Sequence, residues 1–204
     1  SACLVGSEMC IRDSFSFVDA TKPEEVAKAV TPQTRVVWIE SPTNPMLRIV
    51  DVAACAEIAR RAGATCVVDN TFATPYLQNP LALGAHVALH STTKYVGGHS
   101  DVIGGAIVLD DEELHARLKF AQNATGGVPG PWDAWLTLRG VKTLALRMRQ
   151  HEASADRVAR FLRGRPGVSA VHWPGFEDHP GHDLARRQSR GFGLWHHFAP
   201  LLRV

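Results

Sequence analysis

Short apolar runs alternate with amphipathic stretches through the first half of the chain. Arg35-Val36-Val37-Trp38-Ile39-Glu40, Thr65-Cys66-Val67-Val68-Asp69 and Val87-Ala88-Leu89 are nearly continuous in apolar residues and too short for helices. They predict strands, the second and third of them buried. Between the first two, residues 51–62 place Val52, Cys55, Ile58 and Ala59 on one face, with Asp51 suited to the N-cap and Gly63 to the stop. That pattern predicts a helix. Strand, helix and strand at these lengths argue for a parallel sheet flanked by helices, an α/β fold. Residues 15–18 predict an initial strand and 105–109 a further one. Thr21 is the expected cap of a helix over 22–30, with Pro23 in its first turn.

Downstream the period changes. Residues 110–123 read as a helix, and Gly126-Gly127-Val128-Pro129-Gly130-Pro131 is a break. Helical periodicity returns over 132–139 and 141–162, interrupted only by Gly140. The second of these is expected to connect two regions, with Leu144, Met148, Val158 and Phe161 as its buried stripe. A strand over 168–173 and a helix ending near Arg190 complete the reading.

Composition narrows the classes without choosing among them. The 204 residues are 45% hydrophobic and 21% charged with a formal net charge of +2, ordinary for a globular chain with a sizeable core. Lys and Arg are dispersed, so no nucleic-acid footprint is expected. No apolar run approaches the ~18 residues of a membrane span, and no signal-peptide pattern is apparent. Cys3, Cys10, Cys55 and Cys66 lack C-x-x-C spacing. Cys55 and Cys66 are expected in the core, and a reducing, cytoplasmic setting is the default. The ten histidines, His172, His179, His182 and the His196-His197 pair among them, show no metal-ligand spacing. No metal is expected.

The chemistry concentrates where two apolar runs stop. Val87-Ala88-Leu89 gives way to His90-Ser91-Thr92-Thr93-Lys94, and Gly97, Gly98, Gly104 and Gly105 follow closely. Open α/β sheets bind ligands at the carboxyl ends of their strands. A lysine there is by itself most often a solvated surface group. A carboxylate, Asp69, at the neighbouring strand end changes that reading. Pyridoxal phosphate (PLP) needs a lysine for its aldehyde and an acid beside its pyridine nitrogen.

Ser41-Pro42-Thr43-Asn44-Pro45, Val68-Asp69-Asn70-Thr71-Phe72 and Ser91-Thr92-Thr93-Lys94-Tyr95, followed by Gly97-Gly98-His99-Ser100-Asp101, occur here in one order. Together they resemble the Cys/Met-metabolism family of PLP enzymes, which includes cystathionine γ-synthase, cystathionine γ-lyase, methionine γ-lyase and the homoserine-ester sulfhydrylases. The resemblance runs from about Phe15 to about Gly193. It implies the fold of PLP-dependent transferases of fold type I, which is aspartate-aminotransferase-like. It also implies that Lys94 forms a Schiff base with PLP and that Asp69 contacts the pyridine nitrogen. Ser91 and Thr93 would bind the phosphate, and Asn44 would lie beside the ring hydroxyl. Glu40 and Thr71 would line the same pocket. For Asp69 the alternative is a cap or turn aspartate, and for Asn44 an Asx turn before Pro45.

By the same resemblance, residues 15–140 correspond to the central part of a PLP-binding large domain. Residues 141–193 correspond to a connecting helix and the start of a smaller domain. Residues 1–14 and 194–204 depart from the pattern and are expected to be a non-native segment and an out-of-frame tail. The family's ring-stacking tyrosine, its Tyr-x-Arg phosphate pair and its carboxylate-binding arginine have no matching position, so the chain is expected to be truncated at both ends. Three functional readings follow. The first is a trans-sulfuration enzyme closest to cystathionine γ-synthase, with γ-lyases and sulfhydrylases of the family as alternatives. Its substrate would be a small amino acid, and the protein a homo-oligomer, tetrameric in the family. The second is a non-catalytic fragment that binds PLP weakly or only packs against intact subunits. The third is another fold-type-I activity such as transamination.

Overall fold

The structure, a computed structural model, describes residues 14–193 and the backbone of the strand His197–Pro200. In chain order the elements are α1 (Pro23–Ala29), β1 (Val36–Glu40), α2 (Val52–Arg61), β2 (Thr65–Asp69), α3 (Thr74–Leu77), β3 (Val87–Ser91) and β4 (Gly105–Val108). Then come α4 (Glu112–Thr125), α5 (Pro131–Val141), α6 (Leu144–Leu162), β5 (Val168–His172), α7 (His182–Gln188) and β6 (His197–Pro200). The first four strands form one sheet in the order β1-β2-β3-β4. β1, β2 and β3 run parallel, and β4 returns antiparallel to β3. β5 and β6 pair antiparallel in a second, two-stranded sheet.

The core under the large sheet follows from strand alternation. Val37 and Ile39 of β1, with Cys66 and Val68 of β2, point to one face. They meet Val26 of α1 and Val52, Cys55, Ala56 and Ala59 of α2. α2 is where the sequence puts it. Asp51 caps it by accepting the Ala54 N–H at 2.9 Å, and Gly63 leaves it at φ 67°. Each such large apolar side chain taken out of water contributes about 1.5–3 kcal/mol. Cys55 and Cys66 are free and buried, and that burial pushes their thiols up to about 12 and about 11. On the opposite face of β1, Val36 and Trp38 are exposed.

Four local expectations are corrected. Residues 15–18 are exposed and form no strand, because nothing among the described residues pairs with them. Thr21 does not cap α1. Its hydroxyl donates to Asp19 Oδ1 at 2.6 Å, and the N-cap position falls on Lys22 without a side-chain cap. Gly140 lies inside α5, and the break comes two residues later, before α6. In α6 the buried stripe is Leu144, Met148, Ala155 and Ala159, while Val158 and Phe161 are exposed. The bulk at that contact comes from the other side. Trp173 and Phe176 fill the space that the two alanines leave, so large residues on the helix would not fit. Residues 1–13 and most of the expected tail over 194–204 lie outside the described residues.

Candidate active site

Three strand ends meet at the carboxyl edge of the sheet. Glu40 of β1 is level with Asp69 of β2, and Asp69 is level with Leu89 of β3. Residues level with one another on parallel strands project to the same face, so Glu40, Asp69, Leu89 and, two residues on, Ser91 share one. This is the face that carries the exposed Trp38. Glu40 and Asp69 line an open cleft there with Thr43 and Arg48. Asp69 and Glu40 carry like charge on adjacent strands, and neither forms an ion pair among the described residues.

Burial pushes the Glu40 carboxyl above its ordinary value. The Asn44 N–H, donated to Glu40 Oε2 at 3.0 Å, opposes that rise, and the charge on Asp69 adds to it. A carboxyl raised in the folded state holds its proton more tightly there than in the unfolded chain. Its contribution to stability is therefore complete below the unfolded value of about 4.5 and is lost as pH rises through the folded value. Glu40→Gln keeps an acceptor for the Asn44 N–H and removes the charge. It is expected to melt with wild type near pH 4 and to melt about 2–4 °C higher at pH 7, as thermal unfolding followed by circular dichroism at the two pH values would show.

Asp69 closes the turn at the end of β2. Its Oδ1 accepts the Thr71 N–H at 3.0 Å, so the turn role expected of such an aspartate is present. That leaves its second carboxylate oxygen without a partner among the described residues. Thr71, itself buried, accepts the Ser91 N–H on its Oγ at 2.8 Å and ties the end of β2 to the end of β3. Asn44 is exposed at the rim, and its side chain makes no hydrogen bond among the described residues, so no Asx turn forms before Pro45.

β3 ends at Ser91, and the chain enters a single wide turn, Thr92–Val96, that carries Lys94. Lys94 departs from helical geometry at φ −92°, ψ −119° and is exposed. The Lys94 amine and the Ser91 hydroxyl have no protein partner among the described residues. Thr93 is different. Its Oγ accepts the Gly104 N–H at 3.0 Å and donates to the Gly104 carbonyl at 3.3 Å, so both its hydrogen-bonding roles are taken by the chain. Of the two hydroxyls expected at a phosphate, Ser91 has no partner among the described residues and Thr93 must first release Gly104.

The residues present fit PLP. An amine, a hydroxyl and a carboxylate oxygen without partners among the described residues stand along one edge. The Glu40–Asp69 pair makes that edge acidic where a protonated pyridine nitrogen would be neutralised. Among the described residues, no group of three or more His, Cys, Asp or Glu could hold a metal ion, and no helix is long and apolar enough to cross a membrane.

Residues 7–199 match the family described as Cys/Met metabolism PLP-dependent enzyme. The chain belongs to this family. It is 56% identical over 180 residues to a probable cystathionine gamma-synthase of Herpetosiphon aurantiacus, covering 88% of the chain and 56% of that protein. To a cystathionine gamma-lyase of Bacillus subtilis (strain 168) it is 53% identical over 178 residues, covering 87% and 47%. A solved cystathionine gamma synthase from Xanthomonas oryzae pv. oryzae, in complex with cystathionine, superposes with a TM-score of 0.88 at 49% identity, covering 91% of the chain and 48% of that structure. Relatives carry the names gamma-synthase, gamma-lyase and beta-lyase. The chain spans about half the length of the curated relatives it matches. Its fold is therefore that of the Cys/Met-metabolism PLP enzymes.

The structure also adds residues that the sequence patterns did not single out. Asn70 and Gln78 are buried and exchange hydrogen bonds, Gln78 Nε2 to Asn70 Oδ1 and Asn70 Nδ2 to the Gln78 carbonyl, both at 2.9 Å. Ser189 Oγ donates to Gln78 Oε1 at 3.0 Å, which joins the end of β2 to the segment after α7. A buried amide pair of this kind carries no periodic signature. Buried amides are hydrogen-bonded as a rule, which was the one signal available.

Proposed function

We propose that this chain is the cofactor-binding core of a trans-sulfuration enzyme of the cystathionine γ-synthase type. The observation that supports it most is the set of groups at the strand ends without partners among the described residues: the Lys94 amine, the Ser91 hydroxyl and one Asp69 oxygen, within the family's sequence order. In this reading the Lys94 amine would hold PLP and would carry a proton to and from the substrate Cα. Asp69 accepts a hydrogen bond from the pyridine nitrogen and keeps it protonated. Ser91 donates to the phosphate, with Thr93 joining it if its bond to Gly104 opens. Asn44 and Thr71 flank the ring, and Glu40 keeps the edge acidic. The bound cofactor supplies an electron sink for negative charge at Cα.

The reaction proposed is γ-replacement on an O-acylhomoserine. The Cγ–O bond breaks, the cysteine thiolate forms a Cγ–S bond, and the thiol proton leaves with the released carboxylic acid. The cystathionine gamma-lyase relative supports a second reading, in which cystathionine itself is cleaved. Association into a homo-oligomer, a tetramer as in the family, is part of the proposal, as is a cytoplasmic setting. The exposed, stacked Trp132 and Trp135 of α5 support the first of these.

The PLP-loaded chain should be given O-acylhomoserine with and without cysteine, and cystathionine separately, with products followed by mass spectrometry. Cystathionine formed only when cysteine is present is the expected outcome. Release of ammonia from cystathionine alone would replace it with the lyase reading. Retained PLP with no product from either would leave a holding role only.

A further inference from the structure

The turn that carries Lys94 is fastened to the distant corner between α5 and α6. Gly97 and Gly98 N–H groups close the turn onto the Thr92 and Lys94 carbonyls, each at 2.8 Å. The next two carbonyls, of Tyr95 and Val96, are taken by Arg147 of α6. Its Nη1 donates to the Tyr95 carbonyl at 2.6 Å, and its Nη2 reaches the Val96 carbonyl at 3.4 Å and the Gly140 carbonyl at 2.8 Å. Nε donates to Thr143 Oγ at 3.0 Å, which holds the guanidinium plane from behind. A planar group with five donors can serve three carbonyls and the Thr143 hydroxyl at once, whereas an ammonium has three donors and no fixed fork.

Backbone contact tightens the same joint. A Cβ at Gly140 would collide with the Gly97 carbonyl oxygen, and one at Gly98 with the Arg147 guanidinium. Two glycines on opposite sides of the contact let the chains approach this closely. One residue beyond Arg147, Met148 is fully buried, in a cluster with Tyr95, Leu47, Phe72 and Leu144. The side chain following Lys94 is thus seated on α6, while its carbonyl is held by the arginine preceding Met148.

We propose that Arg147 is a positioning residue for Lys94: its guanidinium fixes the Thr92–Val96 turn against the α5–α6 corner and so sets where the lysine amine stands relative to the strand ends. The inference rests on the reading of Lys94 as the cofactor lysine, and it makes the PLP lysine depend on an element outside the sheet. The hydrogen bonds of Arg147 described above all go to the chain itself.

The test compares wild type, Arg147→Lys and Arg147→Ala in the full chain. Two readouts are used: amide hydrogen exchange over Thr92–Gly98, and the fraction of Lys94 fixed by borohydride at a limiting concentration of PLP. Arg147→Lys keeps a charge and a packed stem, so its β1–β3 exchange should match wild type. Exchange at the Gly97 and Gly98 amides should rise about tenfold or more, and the PLP concentration for half-maximal fixation should rise about tenfold, as loss of roughly one charge-assisted hydrogen bond implies. Arg147→Ala should exceed both changes. Unchanged exchange at Gly97 and Gly98 in Arg147→Lys overturns the positioning role whatever PLP does. Faster exchange with unaltered fixation overturns the link to Lys94. If wild type itself is not fixed at Lys94, the proposed function fails, the link to PLP falls with it, and the exchange data still decide whether Arg147 holds the turn.

Discussion

Lys94→Ala is expected to abolish covalent retention of PLP and to lower any turnover by about 10³-fold or more, the scale on which loss of a positioned nucleophile and proton carrier acts. The fold should survive the change. Lys94 is exposed, its side-chain amine has no hydrogen-bond partner among the described residues, and it interrupts helical geometry in its own turn. Its neighbours Tyr95 and Thr92 are buried, and they anchor the turn without it. The expected result is a wild-type unfolding temperature, loss of the lysine-dependent absorbance band on adding PLP, and no borohydride-stable adduct. Lys94→Arg should fail in the same way, because a guanidinium stays protonated near neutral pH and cannot act as the nucleophile.

Asp69→Asn carries the second large effect, and for a different reason. Asparagine still accepts the Thr71 N–H with its carbonyl oxygen, so the turn that ends β2 is kept. The position of the free oxygen becomes an amide N–H₂, which meets a pyridine N–H donor to donor. Loss of a hydrogen bond to a charged group costs about 1.5–3 kcal/mol, or about 10–150-fold in affinity for PLP. Removing one of two facing carboxylates also lowers the Glu40 carboxyl toward its ordinary value, since the charge on Asp69 helps to raise it. PLP titration measured beside a Glu40 pH titration separates these effects. Weak PLP binding with a shifted Glu40 is expected, and full-strength binding with Asn at position 69 would remove Asp69 from the site.

Much of the sheet was legible because its signals are local. Five consecutive residues decide β1 and β2, and the polar residue that ends each run marks the sheet edge where Glu40, Asp69 and Ser91 stand. The cap at Asp51 and the stop at Gly63 were readable for the same reason, since capping involves residues three or four apart. Two of the failures depend on partners far along the chain. Residues 15–18 have the composition of a strand but nothing to pair with among the described residues. Val158 and Phe161 fit an apolar stripe, yet Trp173 and Phe176 determine which face of α6 is covered, and they favour alanines there.

The site divides along the same line. Residue types at the strand ends suggested the chemistry, and their order suggested the family. Their availability could not be read, because Thr93 is engaged by Gly104 eleven residues away while Ser91 is not. Arg147 gave no signal at all. It lies 52 residues from the Tyr95 carbonyl it holds, inside a helix whose periodicity explains it as a half-exposed basic residue.

The central claim is that the amine of Lys94 and the carboxylate of Asp69 hold two ends of one pyridine ring. A crystal structure of the chain grown with PLP tests it most directly. Continuous density from the Lys94 Nζ to the cofactor, with an Asp69 oxygen within hydrogen-bond distance of the ring nitrogen, is the result expected. A ring bound elsewhere, or one joined to Lys94 with Asp69 turned away from its nitrogen, would contradict the account.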